Sequence, residues 1–174
     1  MSLELSDVSL PVFTQMLGGV AGVLDKAEAY AQERRFEPAA LLQARLFPNM
    51  YSFARQIQAL CDWPVVAIKN LTGASPPDFG EGDKSFADLK TRVAKTITFV
   101  QAANVAAYNA AASRDIDLTQ GQNKRIMTGK DYVVHRVLPQ FYFHVTTAYD
   151  ILRHNGLDLV KGDYMGNVPG QRTA

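Results

Sequence analysis

A single cysteine, Cys61, stands among the 174 residues, and one thiol cannot close an intrachain disulfide. Small folds held together by disulfides are therefore excluded. An excess of charge is missing too, since 18 Lys and Arg stand against 17 Asp and Glu for a formal net charge of +1. With no block of Lys and Arg to follow a phosphate backbone, no nucleic-acid partner is expected. Charged or strongly polar residues interrupt every apolar run well before the roughly 20 residues that span a bilayer, so no membrane partner is expected either. The N-terminal stretch MSLELSDVSL has neither a basic start nor a long apolar centre. A cytoplasmic protein is the expectation. Reaction-naming motifs are also absent: there is no HExxH, no CxxC, no Gly-rich phosphate loop and no paired Glu-x-x-His.

What is present is helical periodicity. In PQFYFHVTTAYDILRHNG, residues 139–156, Phe141, Val145, Ala148 and Leu152 recur at helical spacing and form one apolar stripe. Pro139 suits a first turn, and Asn155-Gly156 supplies a stop, with Arg153 and His154 in the last turn. An earlier helix is expected from the Ser6-Asp7, Ser9 and Pro11 start to about Arg35. Gly18, Gly19 and Gly22 within it predict close approach by a neighbouring helix. A second runs from Pro48 to about Thr72, with Pro64 predicting a kink near Cys61 and Asp62. A third, opened by Ser85 and Asp88 in a capping arrangement, is expected from Phe86 to about Ala112. The segments 115–119 and 124–128, flanking Gln120 to Asn123, read as a small β-hairpin. Four long helices without βαβ spacing predict one all-α domain over residues 1–174, an antiparallel four-helix bundle with a small hairpin before the last helix.

The candidate chemistry lies on the second and fourth helices. His144 flanks the apolar stripe and should point inward, either as a general base or as a buried neutral histidine satisfied by a hydrogen bond. His135 and His154 are too far away, around or along the helix, to share an ion with it. Tyr51, Arg55, Gln58 and Asp62 line up along one side of the second helix. Facing water, they form an ordinary solvated face. Facing His144 and Tyr149, they form a polar pocket for a small organic ligand, with Tyr51 and Gln58 binding it. Asp62 would then orient or charge His144, and Arg55 would stabilise an oxyanion. Cys61 falls on the core stripe, where a thiol is inert packing.

The run FYFHVTTAYDILRHNG, with the later Lys161 and the Asp163-Tyr164-Met165-Gly166 tail, resembles the C-terminal signature of an uncharacterised domain-of-unknown-function family in the DinB/YfiT-like superfamily. The segment LFPNMYSFARQIQALCDW is similar to that family's second motif, so the resemblance spans nearly the whole chain. It implies a DinB-like four-helix bundle and a homodimer. Metal-binding members use one histidine from the second helix and two, spaced four apart, on the last; some are thiol-dependent transferases. Here His144 matches the first of that last pair, Ala148 stands four residues later, and the second helix has no histidine. The leading expectation is a bundle without the metal triad and without a cofactor, whose polar pocket binds a small molecule. Catalysis there would be metal-free isomerase, cyclase or lyase chemistry with His144 as general base and Asp62, Arg55 and Tyr149 assisting. One rival is a metal-dependent hydrolase or thiol transferase holding a transition metal through a different ligand set that includes His144 and Asp62. Another is a noncatalytic dimerising or regulatory module joined through the Gly-rich face of the first helix and the aromatics of the last.

Overall fold

The protein is described by a computed structural model covering residues 3–80, 82–119 and 121–171. Four helices form the bundle: α1 (Leu10–Arg34), α3 (Phe53–Thr72), α4 (Phe86–Gln101) and α7 (Leu138–His154). Between them lie α2 (Ala39–Leu42), α5 (Val105–Ala110), a two-stranded hairpin of β1 (Asp115–Asp117) and β2 (Ile126–Thr128), and α6 (Gly129–Tyr132), with α8 (Lys161–Met165) closing the chain. The strands are antiparallel, with Ile116 opposite Met127, as the alternating segments predict. Of the turn between them, Gly121 adopts φ 58° and Gln120 lies outside the described residues.

The apolar stripes meet at the centre of the bundle. Phe13, Leu17, Leu24, Phe53, Ile57, Leu60, Phe86, Leu89, Phe141 and Leu152 are all fully buried there. Phe13 and Phe141 pack edge to face with ring centres 5.0 Å apart. Each such side chain contributes about 1.5–3 kcal/mol on leaving water.

Paired contacts fix the helix directions. Gln56 near the start of α3 meets His144 in α7, and Asn70 near its end meets Tyr132 ahead of α7, so these two helices run antiparallel. α1 and α4 are likewise antiparallel: Lys90 early in α4 pairs with Asp25 and Glu28 late in α1, and Tyr108 beyond α4 reaches Ser9 before α1. α3 and α4 run in the same direction, because Phe53 meets Phe86 at their starts and Asp62 meets Arg92 further along. The long connection over residues 73–85 makes that return possible. Arg92 of α4 holds it: its Nε donates to Asp83 at 2.6 Å, and its guanidinium lies 4.1 Å from the centre of the Phe79 ring.

Helix ends follow local chemistry, with some differences from the periodicity. Ser85 and Asp88 form the expected reciprocal cap. The helix expected to run through Ala112 instead breaks after Gln101, because the Asn104 side chain accepts from Ala107 N–H and starts α5 afresh. α3 begins at Phe53 rather than Pro48 and then continues through the buried Pro64 to Thr72. Pro139 neither stops nor separates the last helix: one turn of π-helix, Val133–Val137, joins α6 to α7. Of the three α1 glycines only Gly19 is a close approach, and what approaches is the C-terminal segment. A Cβ there would lie 2.8 Å from the Tyr164 carbonyl oxygen, whereas Gly18 and Gly22 face open space.

Candidate functional site

Along α3, residues 55, 59, 62, 63, 66 and 70 turn one helical face toward α6, the π turn and α7. Between them lies a cleft of about 580 Å³, walled on the other side by Tyr132, Arg136, Gln140 and His144 and rimmed by Asp117, Leu118 and Thr119 from the hairpin. That volume is in the range of small-molecule sites.

His144 sits at one end, buried, and a glutamine on α3 determines its state. Gln56 is 1% exposed, and its Nε2 donates to the Tyr51 carbonyl at 3.3 Å. The amide oxygen therefore faces the imidazole, 2.7 Å from Nδ1. An amide oxygen only accepts, so Nδ1 carries the proton and Nε2 keeps its lone pair. Nε2 has no partner among the described residues, and none of the described buried side-chain nitrogens or oxygens is left unsatisfied, which places this nitrogen at the open side of the ring. Burial, and then the Arg55 charge, lower the pKa of His144 below its ordinary value. At neutral pH the ring is a neutral base. Tyr51 stacks on it at 6.1 Å between ring centres, and the Arg55 guanidinium covers the other part of that arrangement, 5.2 Å from the centre of the Tyr51 ring.

The remaining residues singled out in the sequence are distributed differently. Asp62 lines the cleft but does not touch His144: its two oxygens meet Arg55 at 3.4 Å and Arg92 at 3.5 Å. Orientation of the imidazole falls to Gln56 instead. Gln58 turns along the helix to accept from Arg55 at 3.2 Å and does not line the cleft. Tyr149 is on another face altogether, since five residues past His144 is about 140 degrees around the helix. Its hydroxyl donates to the Leu159 carbonyl, and its ring meets Tyr164 edge to face. Cys61 is fully buried, and desolvation pushes its thiol up to about 12 against the opposing Thr96 hydrogen bond, so it is not a nucleophile at neutral pH.

Sequence reasoning missed Gln56, Trp63, Asn70, Tyr132 and Arg136. A signal for the first existed: Gln56 is three residues from Phe53 and four from Leu60, a polar side chain on the core stripe. The donor set does not suit a transition metal. α3 meets His144 with an amide, position 148 is a buried alanine, the positive charge of Arg55 acts on the imidazole, and among the described residues no three His, Cys, Asp or Glu side chains converge. Asp62, the other residue of the metal-dependent alternative, meets Arg55 and Arg92 rather than His144. No described helix is long and apolar enough to cross a membrane.

Comparison with known proteins agrees with this architecture. No curated protein matches the chain. A crystal structure of a DinB family member protein from Shewanella denitrificans is 34% identical, covers 97% of this chain and 96% of its own, and superposes with a TM-score of 0.85. The family model described as Domain of unknown function (DUF1993) matches residues 5–165, and the chain thus belongs to that uncharacterised family, built on a DinB-like helical bundle.

Proposed function

We propose that the cleft between α3 and α7 binds a small organic molecule and that His144 acts on it as a metal-independent general base. The observation that carries this reading is the Gln56–His144 bond of 2.7 Å, which spends the Nδ1 proton within the protein and leaves Nε2 free to take one from a ligand. A base with a lowered pKa is unprotonated at neutral pH, the state general-base chemistry requires. Arg55, whose guanidinium lies over the Tyr51 ring that stacks on His144, supplies positive charge for the oxygen on which charge develops when a proton leaves an adjacent carbon. Returning that proton at another carbon is isomerisation, and expelling a β-substituent from the same anion is a lyase step. Both balance without an oxidant, reductant or metal.

The test combines native mass spectrometry of the purified protein with extraction of small molecules that co-purify. Binding of a retained compound is expected to disappear in His144→Ala and Arg55→Ala while circular dichroism shows unchanged helicity. Binding that survives both substitutions contradicts the reading. So does a stoichiometric transition metal that elemental analysis finds in the wild type and not in His144→Ala.

A further inference from the structure

The end of the cleft away from His144 holds two polar groups that the general-base reading does not use. Arg136, half-buried, places its guanidinium carbon 5.8 Å from the centre of the Trp63 ring. Arg92 and Arg136 are the described arginines that are not exposed, and they differ: Arg92 meets Asp83 and Asp62, whereas Arg136 makes no ion pair or hydrogen bond to any described residue. Tyr132 is 1% exposed; its hydroxyl oxygen accepts from Asn70 Nδ2 at 3.2 Å, and its own proton has no acceptor among the described residues. Both side chains line the cleft. Burial raises the pKa of this phenol, so it remains a donor at neutral pH.

We propose that Arg136 and Tyr132 receive the carboxylate of an elongated organic acid whose reacting end lies at His144. This rests on the reading of the cleft as a small-molecule site and names the class of molecule. A planar guanidinium held by an indole and an adjacent phenol O–H match two carboxylate oxygens. Asp117 on the same rim, its carboxylate accepting from Thr119 N–H, repels a doubly charged phosphate more strongly than a singly charged acid. Eight residues separate Arg136 from His144, about 12 Å along a helix axis, which fixes the span between the acid and the reacting centre. Ala59, Trp63 and Val66 wall the interval with apolar surface, suited to an aliphatic or aromatic body.

Phenylpropionate, phenylvalerate and phenylheptanoate, each with its primary amide, are suitable probes. Affinity is read by calorimetry, and location by the fluorescence of Trp63, the only tryptophan in the chain. The longer acids are expected to bind about tenfold more tightly than their amides, with Arg136→Gln and Tyr132→Phe each erasing most of that preference while amide binding persists. Phenylphosphonate is expected to compete poorly. Equal binding of acids and amides overturns the inference but leaves the cleft reading standing. An acid preference that survives Arg136→Gln and disappears in Arg55→Gln also overturns it, moving the anion to the His144 end. Failure of every acid and amide to bind overturns both.

Discussion

Two faces of the bundle carry polar residues and treat them in opposite ways. On the face where α8 crosses α1, polar groups are paired: Lys26 meets Asp163 at 2.8 Å, Gln15 donates to the Met165 carbonyl at 2.9 Å, and the hydroxyls of Tyr164 and Thr146 meet at 3.2 Å. The Gly19 backbone lies directly against that of Tyr164 and Gly166. On the α3–α7 face, His144 Nε2, the Arg136 guanidinium and the Tyr132 hydroxyl proton have no hydrogen-bond partner among the described residues, although their neighbours are tightly fixed. The first arrangement ties the end of the chain to the bundle. The second holds reactive groups still and leaves their functional atoms available, which is how preorganised sites are built.

Substitutions on the two faces should therefore separate stability from site chemistry. The largest effect is expected from Gly19→Ala. Its methyl would stand 2.8 Å from a backbone oxygen, and overpacking of that kind costs about 1–3 kcal/mol. Denaturant unfolding should show the loss while Trp63 fluorescence stays that of the wild type; a matching disturbance of Trp63 would mean the faces are not independent. Next comes Gln56→Leu, which leaves the buried Nδ1 proton without an acceptor at a cost of about 1–3 kcal/mol. Gln56→Glu places a carboxylate against the same nitrogen, and histidine NMR titration should then show the pKa of His144 raised.

A smaller effect concerns pH. His144 has a folded pKa below its unfolded value of 6.5, so its contribution to stability is complete above 6.5 and is lost as pH falls through the lower folded value. Unfolding free energies of the wild type should fall with acidification across that window, and His144→Gln should flatten the slope there. The smallest effect is expected from Lys26→Ala. The lysine side chain is 50% exposed, and such a pair contributes about 0–1 kcal/mol. A larger loss in thermal unfolding would show that the C-terminal segment is held more by this ion pair than by its packing on Gly19.

The bundle was legible because its cores are written in apolar period: the stripe of Phe141, Val145, Ala148 and Leu152 is buried as the spacing requires. The Ser85 cap and the hairpin were legible from local chemistry as well. Part of the cleft's lining is legible in the sequence, since Tyr51, Arg55, Asp62 and His144 do share one cleft. The rest depends on pairing between distant segments. Nothing local sets Tyr132 and Arg136 opposite Asn70 and Trp63, because these partners lie on distant segments that meet only in the folded bundle. Tyr149 was misplaced for a plainer reason, its angle around the helix. Gln56 stands on the apolar stripe rather than the polar one, and a buried polar residue there needs a partner and so announces one.

The central claim is that a buried amide holds His144 as a neutral base with Nε2 open. Long-range proton–nitrogen correlation NMR of imidazole-labelled protein, followed through a pH titration, tests it directly. The account predicts the Nδ1–H tautomer at neutral pH and a pKa below 6.5, with the tautomer preference lost in Gln56→Leu. An Nε2–H tautomer, or a ring still protonated above 6.5, would contradict it.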